Sequence, residues 1–296
     1  MEPARDNPRM KPAPTHHARV FGSPWEGVYG TLMDSARHFG KHWHAVYGLG
    51  LLEHGAQSSA SGRGQVDAYA GDLITTNPGE VHDGQPLGGP SRRWRMLYLE
   101  PAVMVTMLAD SSGGPAHPVE LVRPVIQDAA LRRALQGLLH RLGQWDARRH
   151  STNADTLACE ESLVQTCALL LHRHSHIDAG AHANPGASAG AQMKQVRDRL
   201  ADDPLEPPSL TDLAVMVGLS KFQVLRRFEQ AYGVTPHAWL LQQRAERARR
   251  LILGGDSLSQ AAVDSGFADQ SHMTRIFTRH FGFTPGAWQR AAVPSA

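Results

Sequence analysis

A repeated stretch near the C-terminus constrains this chain more than any other feature. SLTDLAVMVGLSKFQVLRRFEQAYGVTPHAW runs from Ser209 to Trp239, and SLSQAAVDSGFADQSHMTRIFTRHFGFTPGAW runs from Ser257 to Trp288. The offset is 48 residues from Ser209/Ser257 through Leu219/Phe267 and 49 from Arg226/Arg275 to Trp239/Trp288. One extra residue therefore falls in the second copy's turn or at the start of the helix after it. A repeated supersecondary unit is the simplest source of such a pattern. Each copy reads as a helix, a short glycine-containing turn and a second helix. Ser209 and Ser257 stand at N-cap positions. Ala214, Ala261 and Ala262 let a second helix cross closely. Gly218 and Gly266 fall where the chain must leave the first helix in a left-handed conformation. Val224 and Phe228, like Met273 and Phe277, are four apart and share a core-facing side.

The outward side of each second helix suits DNA. The first copy presents Lys221, Phe222, Leu225 and Arg226; the second presents Gln270, Ser271, Thr274 and Arg275. Arginine bonds guanine O6 and N7, glutamine bonds adenine, and apolar tips meet thymine methyls. A solvated helix face is the competing account, and the matched arginines at 226 and 275 count against it. The stretch between the copies, Trp239 to Leu253, reads as one long helix that fixes their spacing. Its Arg244, Arg247, Arg249 and Arg250 suit either phosphate contact or plain solvation. Net charge over the 296 residues is only +2, so bulk charge does not announce a nucleic-acid binder. The segment Lys221 to Arg290 holds ten Lys/Arg against five Asp/Glu, which permits phosphate binding without proving it.

The rest of the chain divides by texture. Residues 1–24 read as a flexible polar arm. They lack the apolar run of a signal peptide, and no apolar run is long enough to span a bilayer, so a cytoplasmic protein is expected. Residues 25–120 carry short apolar clusters between glycines, the texture of an antiparallel sandwich or barrel. In 121–176, Leu131, Leu135, Leu138, Leu139 and Leu142 form one apolar helix face, and Leu157, Val164, Cys167, Leu170 and Leu171 form another. Residues 177–191, rich in Ala, Gly and Asn, read as a linker. Residues 192–293 read as helical, with the two units at about 209–232 and 257–281. Cys159 and Cys167, eight apart in one predicted helix, lie about 12 Å from each other and too far for a disulfide.

The last hundred residues resemble the DNA-binding domain of the AraC/XylS transcription regulators. The likeness is strongest in SGFADQSHMTRIFTRHFGFTPGAWQR. HFGKHWHAVYGLGLLEHG (His38 to Gly55) and GDLITTNPGEVHDG (Gly71 to Gly84) resemble that family's cupin-like ligand-binding barrel. The resemblance implies an α+β protein of two domains: a cupin-like β-barrel with a following helical pair, then an all-α tandem helix-turn-helix domain. It implies a homodimer formed through the helices after the barrel, a small effector in the barrel, double-stranded promoter DNA and RNA polymerase as partners, and no enzymatic activity. Phe222, Leu225, Arg226, Gln270, Ser271 and Arg275 are its candidate DNA contacts. Glu229 stands where the family commonly has a basic residue.

A second constellation lies in the barrel: His42-Trp43-His44, Glu53 and His82. These residues, with Trp94 and Tyr98 as aromatic walls, line a candidate effector pocket. No cofactor or metal is expected. The alternative is that His42, His44, Glu53 and His82 hold a transition metal, making the barrel a metal sensor or enzyme fused to a DNA-binding tail. An architectural DNA-bending protein without ligand control is a third reading, marked by weak sequence preference.

Overall fold

The structure is a computed structural model that describes residues 15–112, 119–148, 153–177 and 187–292. Its first domain holds β1 (His16–Phe21), β2 (Val28–Ser35), β3 (Phe39–His42), β4 (Tyr47–His54), β5 (Ala56–Ser61), β6 (Gly64–Tyr69), β7 (Leu73–Thr76), β8 (His82–Pro86) and β9 (Arg92–Leu99). Then come α1 (Pro101–Ser112), β10 (Val119–Leu121), β11 (Val125–Ile126), α2 (Ala129–Arg148), α3 (Asn153–His174) and β12 (Ser175–Ile177). The second domain is helical: α4 (Ala187–Asp202), α5 (Leu210–Val217), α6 (Lys221–Tyr232), α7 (Pro236–Leu253), α8 (Leu258–Asp264), α9 (Gln270–Phe281) and α10 (Pro285–Ala292).

The strands do not close into a barrel. They form a six-stranded sheet in the order β1-β2-β9-β4-β7-β11 and a four-stranded sheet in the order β3-β8-β5-β6. Strand alternation sorts the six-stranded sheet's side chains between two faces. Leu49, Leu51, Leu97 and Leu99 join the core that includes α2 and α3. Leu52, Trp94, Met96 and Tyr98 join a different core, shared with the second domain. The five leucines predicted on α2 are all buried against the first face, each contributing about 1.5–3 kcal/mol of apolar transfer.

Several boundaries move. The expected arm of 1–24 includes a strand: β1 pairs with β2 from His16↔Ser35 to Phe21↔Gly30. Residues 1–14 lie outside the described residues. Gly30 makes this pairing possible, because a Cβ there would overlap the Phe21 ring. The stretch 121–176 contains β11 and most of β12 as well as helices. Of the linker 177–191, residues 178–186 lie outside the described residues, and α4 already begins at Ala187. On α3, Cys167, Leu170 and Leu171 are buried as expected, but Leu157 and Val164 are exposed. Cys159 and Cys167 are both buried and are not joined by a disulfide.

The helical domain follows the repeat. Ser209 and Ser220 close capping boxes with Asp212 and Gln223, and Asp269 caps α9 through the His272 amide. Val224, Phe228, Met273 and Phe277 have no exposed surface. The extra residue of the second copy is Ala268, in the turn between Phe267 and the cap Asp269. α6 and α9 are each 12 residues long and end on left-handed Gly233 and Gly282. The domains are clamped together. Trp43 of the first stacks on Trp239 of α7 at 4.7 Å, within the core formed by α4 to α7. Arg249 of α7, 3% exposed, pairs with Glu246 at 2.9 Å and with Glu100 of the first domain at 3.2 Å. Its guanidinium also lies over Tyr29 and Trp288.

Candidate DNA interface and effector pocket

The predicted DNA-facing residues lie at equivalent places on α6 and α9. Lys221, Leu225 and Arg226 are exposed on α6; Gln270, Ser271 and Arg275 are exposed on α9, with Thr274 half-buried. Phe222 is in α6, but its side chain lies outside what is described. Among the described residues, Arg226 and Arg275 form no ion pair and no side-chain hydrogen bond, which leaves both guanidiniums available. Gln270 accepts a bond from Ser259 Oγ at 2.9 Å, which holds its carbonyl and leaves its NH2 outward. The α7 arginines mostly serve the fold. Arg244 donates to the Pro204 carbonyl, Arg247 donates to the Asp264 carbonyl, and Arg249 is buried. Arg250 alone among these four is exposed.

A cavity of about 100 Å³ lies between the two sheets. His42, His44 and His82 line it, with Trp94 and Tyr98. Gly48 and Gly50 of β4 open the space on that face, where a Cβ would run into Thr76 and Met96. His42 ends β3 directly opposite His82 of β8, and His44 follows in the next turn. The three ring centroids are 4.4 to 5.3 Å apart. One nitrogen of each ring falls within 4.8 Å of the others. His42 Nδ1 donates to the Gly40 carbonyl at 2.7 Å and His82 Nδ1 to the Glu80 carbonyl at 2.8 Å. These bonds fix the tautomer and leave each Nε2 lone pair free. His44 Nδ1 is buried without a partner among the described residues. Burial lowers the pKa of all three, and neighbouring imidazoles add to the effect on His42 and His44. The cluster is therefore neutral at pH 7, as metal ligation or hydrogen-bond acceptance requires.

Two sequence expectations fail here. Glu53 is not in the pocket. It falls on the opposite face of β4 with Leu49 and Leu51, and it pairs there with Arg95 and Arg93 of β9. The alternation that turns Leu52 inward turns Glu53 out. Trp43, for its part, leaves the pocket to pack against the helical domain.

Sequence reasoning also missed three lining residues. Arg92, 1% exposed, lies in the wall with its guanidinium over Trp94 and Phe39. Burial lowers its pKa to about 10. The alternation along β9 that places Trp94 inward also places Arg92 there, so this signal was available. His280 and Phe281 come from the last turn of α9. Phe281 stacks on His44 with centroids 6.1 Å apart, and His280 Nδ1 accepts from Gln242 Nε2 at 3.0 Å. Burial pushes the His280 pKa down to about 4. No local sequence signal joins these residues to the sheets of the first domain, far earlier in the chain.

Two helix-turn-helix units on a repeated scaffold, joined to a double-sheet domain with an internal cavity, are the architecture of a helix-turn-helix transcription regulator with a ligand-binding domain. A helix-turn-helix domain model matches residues 213–291, and an AraC-like ligand binding domain model matches residues 27–166. The chain belongs to the AraC family of transcription regulators. It is 27% identical over 225 residues to the HTH-type transcriptional regulator YbfI of Bacillus subtilis (strain 168), covering 76% of this chain and 78% of that one. It is 40% identical over 83 residues to the transcriptional activator NphR of a Rhodococcus species, covering 28% of this chain and 24% of that one. Among solved structures, ToxT from Vibrio cholerae O395 aligns over 96% of this chain and 100% of its own, at 10% identity and a TM-score of 0.46. Among the described residues no helix is long and apolar enough to cross a membrane.

Proposed function

We propose that this chain is a homodimeric, cytoplasmic, non-enzymatic regulator that reads promoter DNA with α6 and α9 under control of a small effector bound between its two sheets. Lys221, Phe222, Leu225 and Arg226 contact one major groove; Gln270, Ser271, Thr274 and Arg275 contact the next. The observation that carries this reading is the pair of unengaged arginines at one position of a structural repeat. α7, about 27 Å long at 1.5 Å per residue, sets the separation of the two reading helices. Apolar contact dominates at α6 through Leu225, and polar readout dominates at α9. Leu157 and Val164, seven apart on α3 and exposed, support dimerisation through that helix. RNA polymerase is the partner that a promoter-bound regulator addresses. The test is quantitative DNA binding on a duplex selected from a random pool. Arg226→Ala and Arg275→Ala should each cost about 1–3 kcal/mol on the selected site and much less on random DNA. Equal losses on both would reassign these side chains to phosphates and remove them from base readout.

The pocket supports a second reading, that of a metal sensor. Its specific support is the pair of backbone bonds that lock the His42 and His82 tautomers, the arrangement typical of metal-ligating histidines. Three neutral nitrogens without a carboxylate suit zinc, nickel or copper, with a coordination position left open.

A further inference from the structure

Arg92 is a buried cation that lacks a counter-charge among the described residues, and it lines the cavity. A guanidinium carries five N–H donors. Nε donates to Gln57 Oε1 at 2.7 Å and Nη1 donates to the Arg37 carbonyl at 3.0 Å. Nη2 makes no hydrogen bond among the described residues. The aromatic faces of Trp94, 4.7 Å away, and Phe39, 5.7 Å away, complete its surroundings. Two carboxylates, Glu80 and Asp83, line the same cavity, and neither pairs with Arg92. Glu80 takes two bonds from Arg63, at 2.7 and 2.8 Å, and a third from the Asn77 amide. Asp83 accepts from the Ala60 amide at 2.7 Å. No acidic side chain among the described residues pairs with Arg92. Chains rarely bury an arginine unpaired, because its desolvation costs several kcal/mol. Neutral acceptors and ring faces reduce that cost without neutralising the charge.

We propose that the effector is a small carboxylate whose anionic head is received by Arg92. Nη2 keeps both of its hydrogens unused among the described residues, and an unused guanidinium N–H fork is the group that receives a carboxylate by charge-assisted hydrogen bonds. The same cavity also offers acceptors, the Nε2 lone pairs of His42 and His82. A hydroxyl on the same molecule finds its partner there. Size bounds the class further: roughly 150 Å³ of apolar cavity holds benzene, so a cavity of about 100 Å³ takes a short-chain acid smaller than a six-membered ring. This assignment rests on the effector reading above for its consequence at DNA, and on the geometry of Arg92 alone for the binding itself.

The test uses the full-length protein with a chelator present and a set of acid–amide pairs: glycolate, lactate and propanoate, each with its primary amide. The amide keeps the shape and removes the charge. Binding is read by calorimetry on wild type, Arg92→Met and Arg92→Lys. At least one acid should bind tenfold or more tighter than its amide. Arg92→Met should abolish that preference and leave the amide unaffected; Arg92→Lys should retain part of it. If no acid outbinds its amide on wild type, or if Arg92→Met holds the acid as tightly, the assignment is overturned. The wild-type ratio decides even if Arg92→Met fails to fold. DNA affinity measured alongside separates the two claims. Amides that shift it as strongly as acids would keep effector control and remove the anion. Acids that bind through Arg92 and leave DNA affinity unchanged would keep the anion site and remove effector control.

Discussion

The ion pair at the domain interface makes an energetic prediction whose sign is as informative as its size. Glu246 is 4% exposed and Arg249 is 3% exposed. Glu246 Oε2 accepts from Arg249 Nε at 2.9 Å, and its Oε1 accepts from the Ala45 amide of the first domain at 3.1 Å. In Arg249→Met the stem is replaced by a chain of similar reach, so packing on Tyr29 and Trp288 is largely kept. Glu246 is then left as a buried carboxylate with one neutral donor. Removing one partner of a buried pair costs about 3–5 kcal/mol. Arg249→Met/Glu246→Gln removes the stranded charge while retaining an acceptor for the Ala45 amide. The double variant should be more stable than Arg249→Met alone, with a coupling energy of about 1–3 kcal/mol. Urea denaturation followed by tryptophan fluorescence reports it, because Trp43, Trp239 and Trp288 all lie in the cores that join the domains. A double variant destabilised by the sum of the two singles would refute the claim that charge burial, rather than side-chain volume, dominates this contact.

Two further outcomes are expected. Asp128 caps α2 through the Ala130 and Leu131 amides and meets Arg173 and His174 of α3. The Leu131 amide bond first, then His174, holds its carboxyl below the usual range. A depressed folded pKa contributes stability above the unfolded pKa and loses it as pH falls. Asp128→Ala should therefore cost about 1–2 kcal/mol from the cap alone above about pH 4, and the gap to wild type should close below it in thermal melts. For the metal-sensor reading, zinc added to the apo protein should bind at one ion per chain and be lost in His82→Ala. Glu53→Gln should bind as wild type does, because Glu53 lies on the far face of β4. No ion retained after gel filtration would sink that reading.

Elements held by local physics were legible in the sequence. The repeat, its serine caps, the left-handed glycines and the four-residue spacing of Val224/Phe228 and Met273/Phe277 are signals within one or two helical turns, and all appear as read. The leucine stripe of α2 is equally local. What the sequence left unread depends on register between distant strands or on contact between domains. Glu53 reads from sequence as a pocket residue because it is a carboxylate near histidines. Counting alternation from Leu52 would have excluded it, and counting from Trp94 would have admitted Arg92. The strand His16–Phe21 has a polar outer pattern and is held by its pairing with β2, so composition disguised it. Trp43 looked like a pocket wall until the helical domain supplied Trp239 as its partner.

The placement of His280 and Phe281 gives effector control a physical route. These residues end the same helix that begins with Gln270 and Ser271, so one element of 12 residues has proposed DNA contacts at one end and pocket-lining residues at the other. A ligand changes DNA affinity only through its differential affinity for two arrangements of the chain. Here the difference is built in: with α9 docked, Phe281 covers His44 and His280 closes the cavity; with α9 moved away, that wall is missing. A ligand small enough to fit beneath the wall favours the docked arrangement, and one too large for it favours release. A tenfold shift in DNA affinity requires only about 1.4 kcal/mol of such preference, comparable to one charge-assisted hydrogen bond. The expected outcome is that a homologous acid series of increasing chain length crosses from one sign of effect on DNA affinity to the other; a series with one sign throughout would refute this route.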